Sequence, residues 1–542
     1  MERVRIYIYE DYVDEILYQL GLLETIHLVD IRESLKEFKG QLRLVEPSER
    51  LFRISSIASR INSICNALRV TKVVKEEGKV TPRVSDELLP QIDEKTVAIE
   101  TEVVRIQGRL SELERVEEKT PEIIEEAESL THELQEIANR ESSTLITHQE
   151  MLEAERHVEE AKTLMGRTKK TYVFEGWIPK DRFNETINVI RRSSENCCAF
   201  DHINVAAASH HKTRKMLPPT LLRNPRITRV YEALTRGFGL PIYAEIDPSI
   251  FWFISFPIMF GLMFGDVAHG FFLLVGAIIL FAVKRKRVQV RELINYAVQG
   301  SPLLIMCGVS AIVFGFLYNE LWGSEEWCIM LKEAIKHTTG FEIPFLLSPF
   351  QQSTKLLKLS LYIAMVHISF GLILGVINKV MEREYKEMIA GPVMWLWLYW
   401  SGCYLFIKYG SKILGVIFNP QVFGLYVLLP FIAMMGVRAI VLGPMDAFGE
   451  ALESFISSIS NTISYARIFA FGMIHVAFSR IFIMGGLLGA VAGTFFFIFF
   501  EIIFVFFQVL RLHWVEWFLK FYNGTGFHYK PFTIVRTATK IA

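Results

Sequence analysis

Two apolar stretches decide the fold: SYARIFAFGMIHVAF at residues 464–478 and FVFFQVLRLHWVEWF at residues 504–518. Each stretch carries one arginine, Arg467 in the first and Arg511 in the second, and neither arginine has an acidic residue one helical turn away. Arginine stays protonated in proteins, and burying it at the centre of a bilayer helix costs about 3 kcal/mol on insertion scales. The two stretches therefore predict a membrane protein in which the arginines mark an ion path or a buried partner.

The composition changes sharply along the chain. Hydrophobic residues make up 51% and charged residues 21%, but the charge is concentrated in the first 215 residues and the apolar residues follow Pro248. The net charge is zero, which gives no indication of nucleic-acid binding. The six cysteines form no CxxC pair and are interpreted as reduced thiols. The first residues, MERVRIYIYEDYVDE, contain no apolar signal core and predict a cytoplasmic N-terminus.

Residues 1–215 are predicted to form a cytoplasmic domain with two parts. Residues 1–33 and 170–206 each show a strand–helix–strand pattern, which predicts one small α/β lobe. Residues 34–169 between them carry apolar residues at heptad spacing with charged residues around them, which predicts an antiparallel coiled-coil hairpin. The alternative is a solvated helical bundle with no mechanical role. Residues 216–247 are predicted to link this domain to the membrane.

Residues 248–542 are predicted to form a transmembrane domain, so the fold class is mainly α. Basic residues are commoner in the loops after the second, fourth and eighth apolar runs, which predicts that both termini are cytoplasmic. Most runs approach the ~20 residues that a bilayer requires. The eight predicted spans, of which the last two are long enough to tilt, are 249–265, 267–283, 297–318, 359–378, 391–407, 421–442, 454–484 and 491–522.

Polar residues inside the spans are concentrated in the last two, mostly at helical spacing. Two long helices with facing polar stripes could line a hydrated path. The alternative is that these groups only join neighbouring helices, and His475 alone is equally compatible with a core histidine. The candidate residues are Glu453, Ser460, Arg467 and His475 in the seventh span, and Glu501, Gln508, Arg511, His513 and Glu516 in the eighth.

Asp266 and His269 lie in the short connection between the first two spans. Their spacing is compatible with a metal-binding pair, but a tight turn at the membrane face is the favoured interpretation, and no metal site is predicted. The chain contains no P-loop motif, so we predict no nucleotide site of that kind, no catalytic residue of its own and no cofactor.

Several long motifs resemble one family, the large membrane stator subunit (subunit a or subunit I) of archaeal and vacuolar-type rotary ATPases. The motifs are EGWIP at 175–179, PPTLLRNPRITRVYEALTRGFGLPIYAEIDPSIF at 218–251, FGLMFGDVAHG at 260–270, SYARIFAFGMIHVAFS at 464–479 and LRLHWVEWFLKFYNG at 510–524. They span the membrane half and the end of the soluble half.

The resemblance implies a role for the chain and for its polar residues. Arg467 and Arg511 would face a rotating ring of proteolipid subunits (the c or K type) and keep the ring carboxylate ionised. Glu453, Ser460, His475 and Glu501 would line two half-channels for H⁺ or Na⁺. Further implied partners are peripheral-stalk subunits of the E and G/H types, a central-stalk connector of the d/C type and the lipid bilayer of an archaeal cell.

One departure from the family pattern is expected at the far end of the hairpin. Family members usually carry a second globular lobe there, which docks a peripheral stalk. Residues Val80 to Ile123 show no strand pattern and predict a simple helical connection without a sheet. Two other classes are less well supported. A secondary transporter predicts paired inverted repeats, and an intramembrane hydrolase would need Ser464 and His475 closer than about three helical turns.

Overall fold

The computed structural model describes residues 1–541 except 39–41, 69, 71–77, 81–83, 116–120, 204–216, 226, 287–290 and 537–538. The chain divides into two compact units. The first comprises Met1–Pro219 and Tyr529–Ala542, and the second comprises Thr220–His528. The C-terminal segment from Tyr529 onward, which the sequence analysis grouped with the membrane helices, therefore belongs to the first unit.

The first unit contains a six-stranded sheet with the order β3-β5-β6-β1-β7, in which β2 also pairs with β6. The strands are β1 (Glu2–Tyr9), β2 (His27–Val29), β3 (Arg43–Leu44), β5 (Gly166–Arg167), β6 (Thr171–Ile178) and β7 (Cys198–Ile203), and β4 (Gly78–Val80) pairs separately with β8 (Thr539–Ile541). The helices of this unit are α1 (Val13–Leu23), α2 (Glu49–Ala67), α3 (Leu88–Glu114), α4 (Pro121–Lys162) and α5 (Phe183–Ser193). Both predicted strand–helix–strand patterns are present, and they join in this sheet.

Nearly all residues of strand β1 are buried, because both faces of the strand pack against other parts of the unit. Val4 and Ile6 pack into the apolar core with α1 and α5. On the other face, Arg3 and Arg5 both pair with the fully buried Glu175 of β6, at 2.5 Å and 2.7 Å. A buried carboxylate with two guanidinium partners is a well-compensated charge, and it fixes the register of β1 against β6.

Helices α3 and α4 run antiparallel: as the residue number rises along α3, the number of its ion-pair partner on α4 falls. Their ion pairs are Glu102 with Arg140, Arg105 with Glu133, and Arg109 with Glu126. Helix α2 packs against both, so this part of the predicted hairpin contains a third helix. A helical connection without a sheet was predicted between Val80 and Ile123. Val80 is the last residue of β4, and the other described residues of this stretch form a short turn, α3 and the start of α4. Residues 81–83 and 116–120 lie outside the described residues.

The C-terminal segment packs into the sheet lobe of the first unit. The Tyr529 hydroxyl donates to the Thr25 carbonyl at 2.6 Å, and the Phe532 N–H donates to the Ile26 carbonyl at 2.7 Å. The Ile534 N–H donates to the Gly21 carbonyl at 2.9 Å, and its side chain joins the core of α1 and β1. This segment therefore completes a core that begins at residue 4.

The second unit is helical. Its helices are α6 (Arg229–Phe238), α7 (Ser249–Met263), α8 (Val267–Arg285), α9 (Glu292–Tyr318), α10 (Glu325–Thr339), α11 (Ser353–Met381), α12 (Tyr385–Met388), α13 (Met394–Tyr409), α14 (Ile413–Ile417), α15 (Pro420–Phe423), α16 (Leu429–Leu442), α17 (Pro444–Ser464), α18 (Ala466–Met484) and α19 (Gly486–Arg511).

Six segments of this unit are long and apolar enough to cross a membrane: Val267–Arg285, Ile294–Tyr318, Ser353–Met381, Pro420–Val441, Pro444–Met484 and Val491–Lys520. Helices α7 and α13 also lie at predicted spans, but with 15 and 16 residues they measure about 23 Å, less than the ~30 Å of a bilayer core. The count of eight spans therefore stays a prediction.

The two long segments that carry the arginines are not uniform α-helices. The helix changes at Tyr465, which separates α17 from α18 two residues before Arg467. After Arg511, α19 continues as a π-helical turn, Leu512–Trp517, and then a 3₁₀ turn. Single π-helical turns often occur at functional sites.

The C-terminal segment should stabilise the first unit. Ile534 is 3% exposed and its neighbour Val535 is 61% exposed. We expect Ile534→Asp to lower the free energy of unfolding of this unit by about 2–5 kcal/mol, because a carboxylate would replace a core side chain. Pulse proteolysis of the full chain in urea, with fragments identified by mass, measures this. The matched control Val535→Asp should change it by less than about 0.5 kcal/mol. Equal effects of the two substitutions would show that the segment does not contribute to the core.

Candidate functional site

Asp266 stands where α7 turns into α8. The preceding residue of the turn is Gly265, and the Asp266 side chain caps α8 by accepting from the N–H groups of Ala268 and His269 at 2.8 and 3.0 Å. Its other oxygen accepts from the Gly323 N–H at 3.1 Å. A short acidic side chain at this position satisfies N–H groups that a helix leaves unpaired. The predicted turn motif is thus a buried helix cap, and it holds a fully buried carboxylate.

His475 of α18 lies between two carboxylates. Its Nδ1 is 2.9 Å from both carboxylate oxygens of Glu501 on α19, and its Nε2 is 3.9 Å from Asp266 Oδ2. All three residues are buried. Residues from the last two predicted spans and from the connection between the first two therefore meet at one point. An imidazole with a carboxylate at each nitrogen can take up a proton from one side and release it on the other.

Glu320 and Arg480 belong to the same region, although the sequence analysis did not single them out. Glu320 follows α9 and is fully buried, its backbone carbonyl accepts from Val267 N–H at 3.0 Å, and Arg480 Nη2 lies 3.6 Å from its Oε1. Burial raises the pKa of the Glu320 carboxyl to about 8, and Arg480 opposes this only in part. We call Asp266, His269, Glu320, His475 and Glu501 the acidic–histidine cluster.

Arg467 is paired across helices on one side only. Its Nη2 lies 3.1 Å from Oε1 of the buried Glu516, which the π-helical turn carries. Its Nη1 has no hydrogen-bond partner among the described residues, and about a fifth of the side chain (22%) is exposed. A guanidinium has five N–H donors, so Arg467 keeps donors available for a second anion.

Arg511 is exposed and has no polar partner among the described residues. The side chains around it on the outer face of α19 are large and apolar, and they too are exposed: Phe504, Phe507 and Val515. An exposed apolar helical surface is the part of a membrane protein that faces lipid or another subunit. A permanent positive charge on such a surface is costly unless an anion or water solvates it.

The remaining candidates lie apart from the acidic–histidine cluster. His513 Nδ1–H donates to the Val509 carbonyl at 2.8 Å, and its Nε2 is 2.7 Å from the Ser255 hydroxyl. Glu453 and Ser460 are exposed on α17, whereas Gln508 is half-buried and its Oε1 has no hydrogen-bond partner among the described residues.

A second pair of polar side chains near Arg467 was not foreseen. His367 of α11 has its Nδ1 2.6 Å from the hydroxyl of Tyr465, the residue at the break between α17 and α18. The His367 ring also stacks on Trp517 at a centroid distance of 4.7 Å. These contacts hold the start of α18 and the π-helical turn close together, which positions Arg467 beside Glu516.

The polar residues occupy different heights along the long helices. Arg467 precedes His475 by eight positions and Glu501 precedes Arg511 by ten, which correspond to about 12 and 15 Å of helix. Glu453 lies a further 14 positions before Arg467, or about 21 Å along helix. The arginines therefore stand between Glu453 on one side and the acidic–histidine cluster on the other.

Six long apolar segments, with buried carboxylates, a buried histidine and an exposed arginine among them, define a multi-pass membrane protein. The chain belongs to the V-type ATPase 116kDa subunit family, whose model matches residues 52–326.

Individual relatives agree with this family. The chain is 27% identical over 456 residues to the A-type ATP synthase subunit I of Methanothermobacter thermautotrophicus, covering 81% of this chain and 63% of the relative. It is 24% identical over 479 residues to the subunit I of Methanocaldococcus jannaschii, covering 80% and 65%. It is 23% identical over 492 residues to the V-type proton ATPase subunit a3 of Arabidopsis thaliana, covering 69% and 59%. The chain thus spans less than two thirds of the length of these relatives.

The close approach of α9 to the Asp266 turn should be essential for the cluster. A Cβ at Gly315 would lie 2.4 Å from Val267 N and 2.6 Å from Asp266 C. We expect Gly315→Ala to lower the free energy of unfolding of the second unit by about 1–3 kcal/mol, because the backbone of Asp266 and Val267 would have to move away from the added methyl group. Thermal unfolding of the detergent-purified chain by circular dichroism measures this.

Gly300 provides the control for this substitution. It lies in the same helix, and a Cβ there would meet no atom of the described residues within 4 Å. Gly300→Ala should therefore not lower the unfolding temperature and should raise it slightly, because alanine favours the helix more than glycine does. A Gly315→Ala chain that unfolds at the same temperature as the Gly300→Ala chain would contradict the packing described above.

Proposed function

We propose that this chain is the membrane stator subunit of a rotary ATPase of the archaeal and vacuolar type. It would form two ion half-channels against a proteolipid ring and couple the movement of H⁺ or Na⁺ to ATP synthesis or hydrolysis. The observation that carries the proposal is the exposed guanidinium of Arg511 on an apolar helical face, with no polar partner among the described residues. A carboxylate on a neighbouring subunit would supply the missing partner.

The two arginines would act together on that carboxylate. A permanent cation a few ångströms away stabilises the ionised form of a carboxylate and lowers its pKa. Arg467 is held by Glu516 through one nitrogen and retains unpaired donors, so it can contact the carboxylate without losing its position. Guanidinium suits this role better than ammonium because it cannot release its proton. The pair would thereby prevent ions from passing directly between the half-channels.

The positions of the other polar groups support two separate half-channels. Glu453 and Ser460 would line the route on one side of the arginines, and Asp266, His475 and Glu501 the route on the other. Glu320 would also line the second route, because it is buried next to Val267 and Arg480. With both termini in the cytoplasm, the first route would open to the cytoplasm and the second to the outside of an archaeal cell. Gln508, His513 and Glu516 would lie between the routes.

The alternative is a polytopic secondary ion transporter with a cytoplasmic helical domain. Such a protein would enclose its charged residues between its own helices near broken segments. The acidic–histidine cluster fits that description, but the exposed Arg511 does not, because a self-contained transporter would have no anion to offer it. Co-purification with a proteolipid ring and a soluble ATPase head is the simplest test between the two.

The cytoplasmic part would resist the torque of the rotor. We propose that α3 and α4 form the coiled-coil hairpin of a stator, that eight helices span the membrane, and that α7 and α13 are the short ones. Peripheral-stalk subunits of the E and G/H types would contact the hairpin, and a central-stalk connector of the d/C type would work on the same ring. The hairpin lacks a sheet in the described residues after Val80, so its stalk contact would be helix against helix.

Replacing either arginine should abolish coupled transport. We expect Arg467→Lys, Arg467→Ala and Arg511→Ala to lower ATP-driven ion pumping in reconstituted complexes at least ~10-fold, a loss of about 1.4 kcal/mol or more, while the complex still assembles. Lysine fails because it lacks the fork of donors that can hold Glu516 and a second carboxylate together. Arg285→Lys on the exposed end of α8 is the control and should pump normally.

Crosslinking separates this proposal from a merely structural role of the arginines. In a background with Cys197→Ser and Cys198→Ser, Arg511→Cys should crosslink to a ring subunit near its carboxylate. Cysteine in place of Ile278, an exposed residue near the middle of helix α8, should not. Normal pumping by an assembled Arg467→Ala complex, or crosslinks of residue 511 only within this chain, would contradict the proposal.

The two glutamates should control different access routes. We expect Glu501→Gln and Glu453→Gln each to slow transport by about 10²-fold, the lower end of what one positioned proton-transferring group contributes, without releasing the ring. In sealed vesicles, the Glu501→Gln rate should become insensitive to pH on one face of the membrane and the Glu453→Gln rate to pH on the other. The same sidedness for both variants would contradict separate half-channels.

A further inference from the structure

We propose that Asp266, His269 and His475 form a binding site for a divalent transition-metal ion, and that Zn²⁺ fits it best. Each residue offers one ligand atom, and these atoms all lie within 4.8 Å of one another. All three residues are buried. Two imidazoles and one carboxylate are the ligand types that Zn²⁺ binds in open sites with three protein ligands.

Two of the ligand atoms lack any hydrogen-bond partner. His269 Nδ1 and His475 Nε2 are both buried and unpaired among the described residues. They point at the same carboxylate, His269 Nδ1 at 3.3 Å from Asp266 Oδ1 and His475 Nε2 at 3.9 Å from Oδ2. Buried polar atoms are normally hydrogen-bonded. Two unpaired nitrogens that converge on one carboxylate are therefore the arrangement expected around a bound cation.

The opposite nitrogen of each ring is engaged in the way that metal binding requires. His475 Nδ1 is 2.9 Å from both Glu501 oxygens, so the neutral imidazole would keep its proton on Nδ1 and offer the Nε2 lone pair to a metal ion. His269 Nε2 faces the Thr494 hydroxyl at 3.5 Å, and Trp322 Nε1 donates to that hydroxyl at 2.8 Å. A metal-bound histidine nearly always gives its other N–H to a carboxylate or a similar acceptor.

The carboxylate is fixed in advance. Three backbone N–H groups hold Asp266: those of Ala268 and His269 donate to Oδ1, and that of Gly323 donates to Oδ2. Oδ2 accepts only one hydrogen bond and therefore keeps a lone pair for a metal ion. Zn²⁺ ligands at about 2.0–2.1 Å in a tetrahedron stand about 3.3 Å apart. The 3.3 Å between His269 Nδ1 and Asp266 Oδ1 already matches this separation. His475 Nε2, which is 3.9 Å from Asp266 Oδ2 and within 4.8 Å of the other ligand atoms, would have to move closer to both of them.

A bound metal ion should inhibit ion transport, and this part of the inference rests on the proposed function. Zn²⁺ would occupy the His475 lone pair and the Asp266 oxygens that a proton must use to pass Glu501. The same hydrated route would let the ion reach the buried site. Zinc added on the side of the acidic–histidine cluster should therefore inhibit reversibly, and zinc added on the other side should not.

Direct binding to the full chain tests the site without any assay of transport. The chain is purified in detergent through a tag without histidine, with Cys197→Ser and Cys198→Ser to remove accessible thiols. Calorimetry with Zn²⁺ should give one binding site. The visible spectrum of added Co²⁺ should show tetrahedral coordination. His269→Gln and His475→Gln should weaken binding more than 10-fold, and Glu501→Gln, which removes only the outer partner, about 10-fold. His337→Gln, an exposed histidine of α10, should bind as the parent chain does.

Four results would overturn all or part of the inference. Equal affinity of the parent and the His269→Gln chain overturns the site. Because a variant can fail to fold, a second readout on the parent chain alone is its unfolding temperature, which must rise with added Zn²⁺; no rise also overturns the site. Tight binding with no inhibition of pumping overturns only the inhibitory role and counts against the route through His475. Absent binding together with slowed transport by Glu501→Gln overturns the metal site and leaves the proposed function intact.

Discussion

An ionised side chain inside an apolar helix needs a partner of opposite charge, and this requirement organises the second unit. Glu516 meets Arg467 at 3.1 Å, and His475 lies between Glu501 and Asp266. These contacts join α18 and α19 to each other and to the turn before α8. Arg511 differs, because no described residue neutralises its charge. This is the feature that favours a carboxylate on a neighbouring subunit.

Close packing of backbones makes these partnerships geometrically attainable. Gly315 lets α9 approach the Asp266 turn so closely that Glu320 and Val267 share a backbone hydrogen bond. Gly323, with a φ of +73° that L side chains rarely adopt, presents its N–H to Asp266. Small residues of this kind are the usual means by which membrane helices come into contact. The buried carboxylate is thus positioned by backbone rather than by long flexible side chains.

Much of this arrangement could be predicted from the sequence, because it depends on local periodicity. The α/β lobe follows from two alternating patterns, and the apolar runs and the two arginines follow from composition. Glu320 and Arg480 could not be assigned to the site, because a carboxylate at the end of a span looks the same whether or not the neighbouring ends meet. The break at Tyr465 and the π-helical turn after Arg511 leave no periodic signal, and the third helix α2 was hidden among charged heptads. The roles of the site residues remain predictions that rest on family resemblance and geometry.

The packing of the C-terminal segment has a consequence for the order in which the chain matures. Strand β1 and helix α1 precede the described membrane helices in the chain, whereas Ile534, which fills the space beside Gly21, follows them. The sheet lobe therefore has an open apolar surface throughout insertion of the second unit, and it closes only when translation has passed the last span. A truncated chain would keep that surface exposed, which is the feature by which chaperones and proteases recognise unfinished proteins.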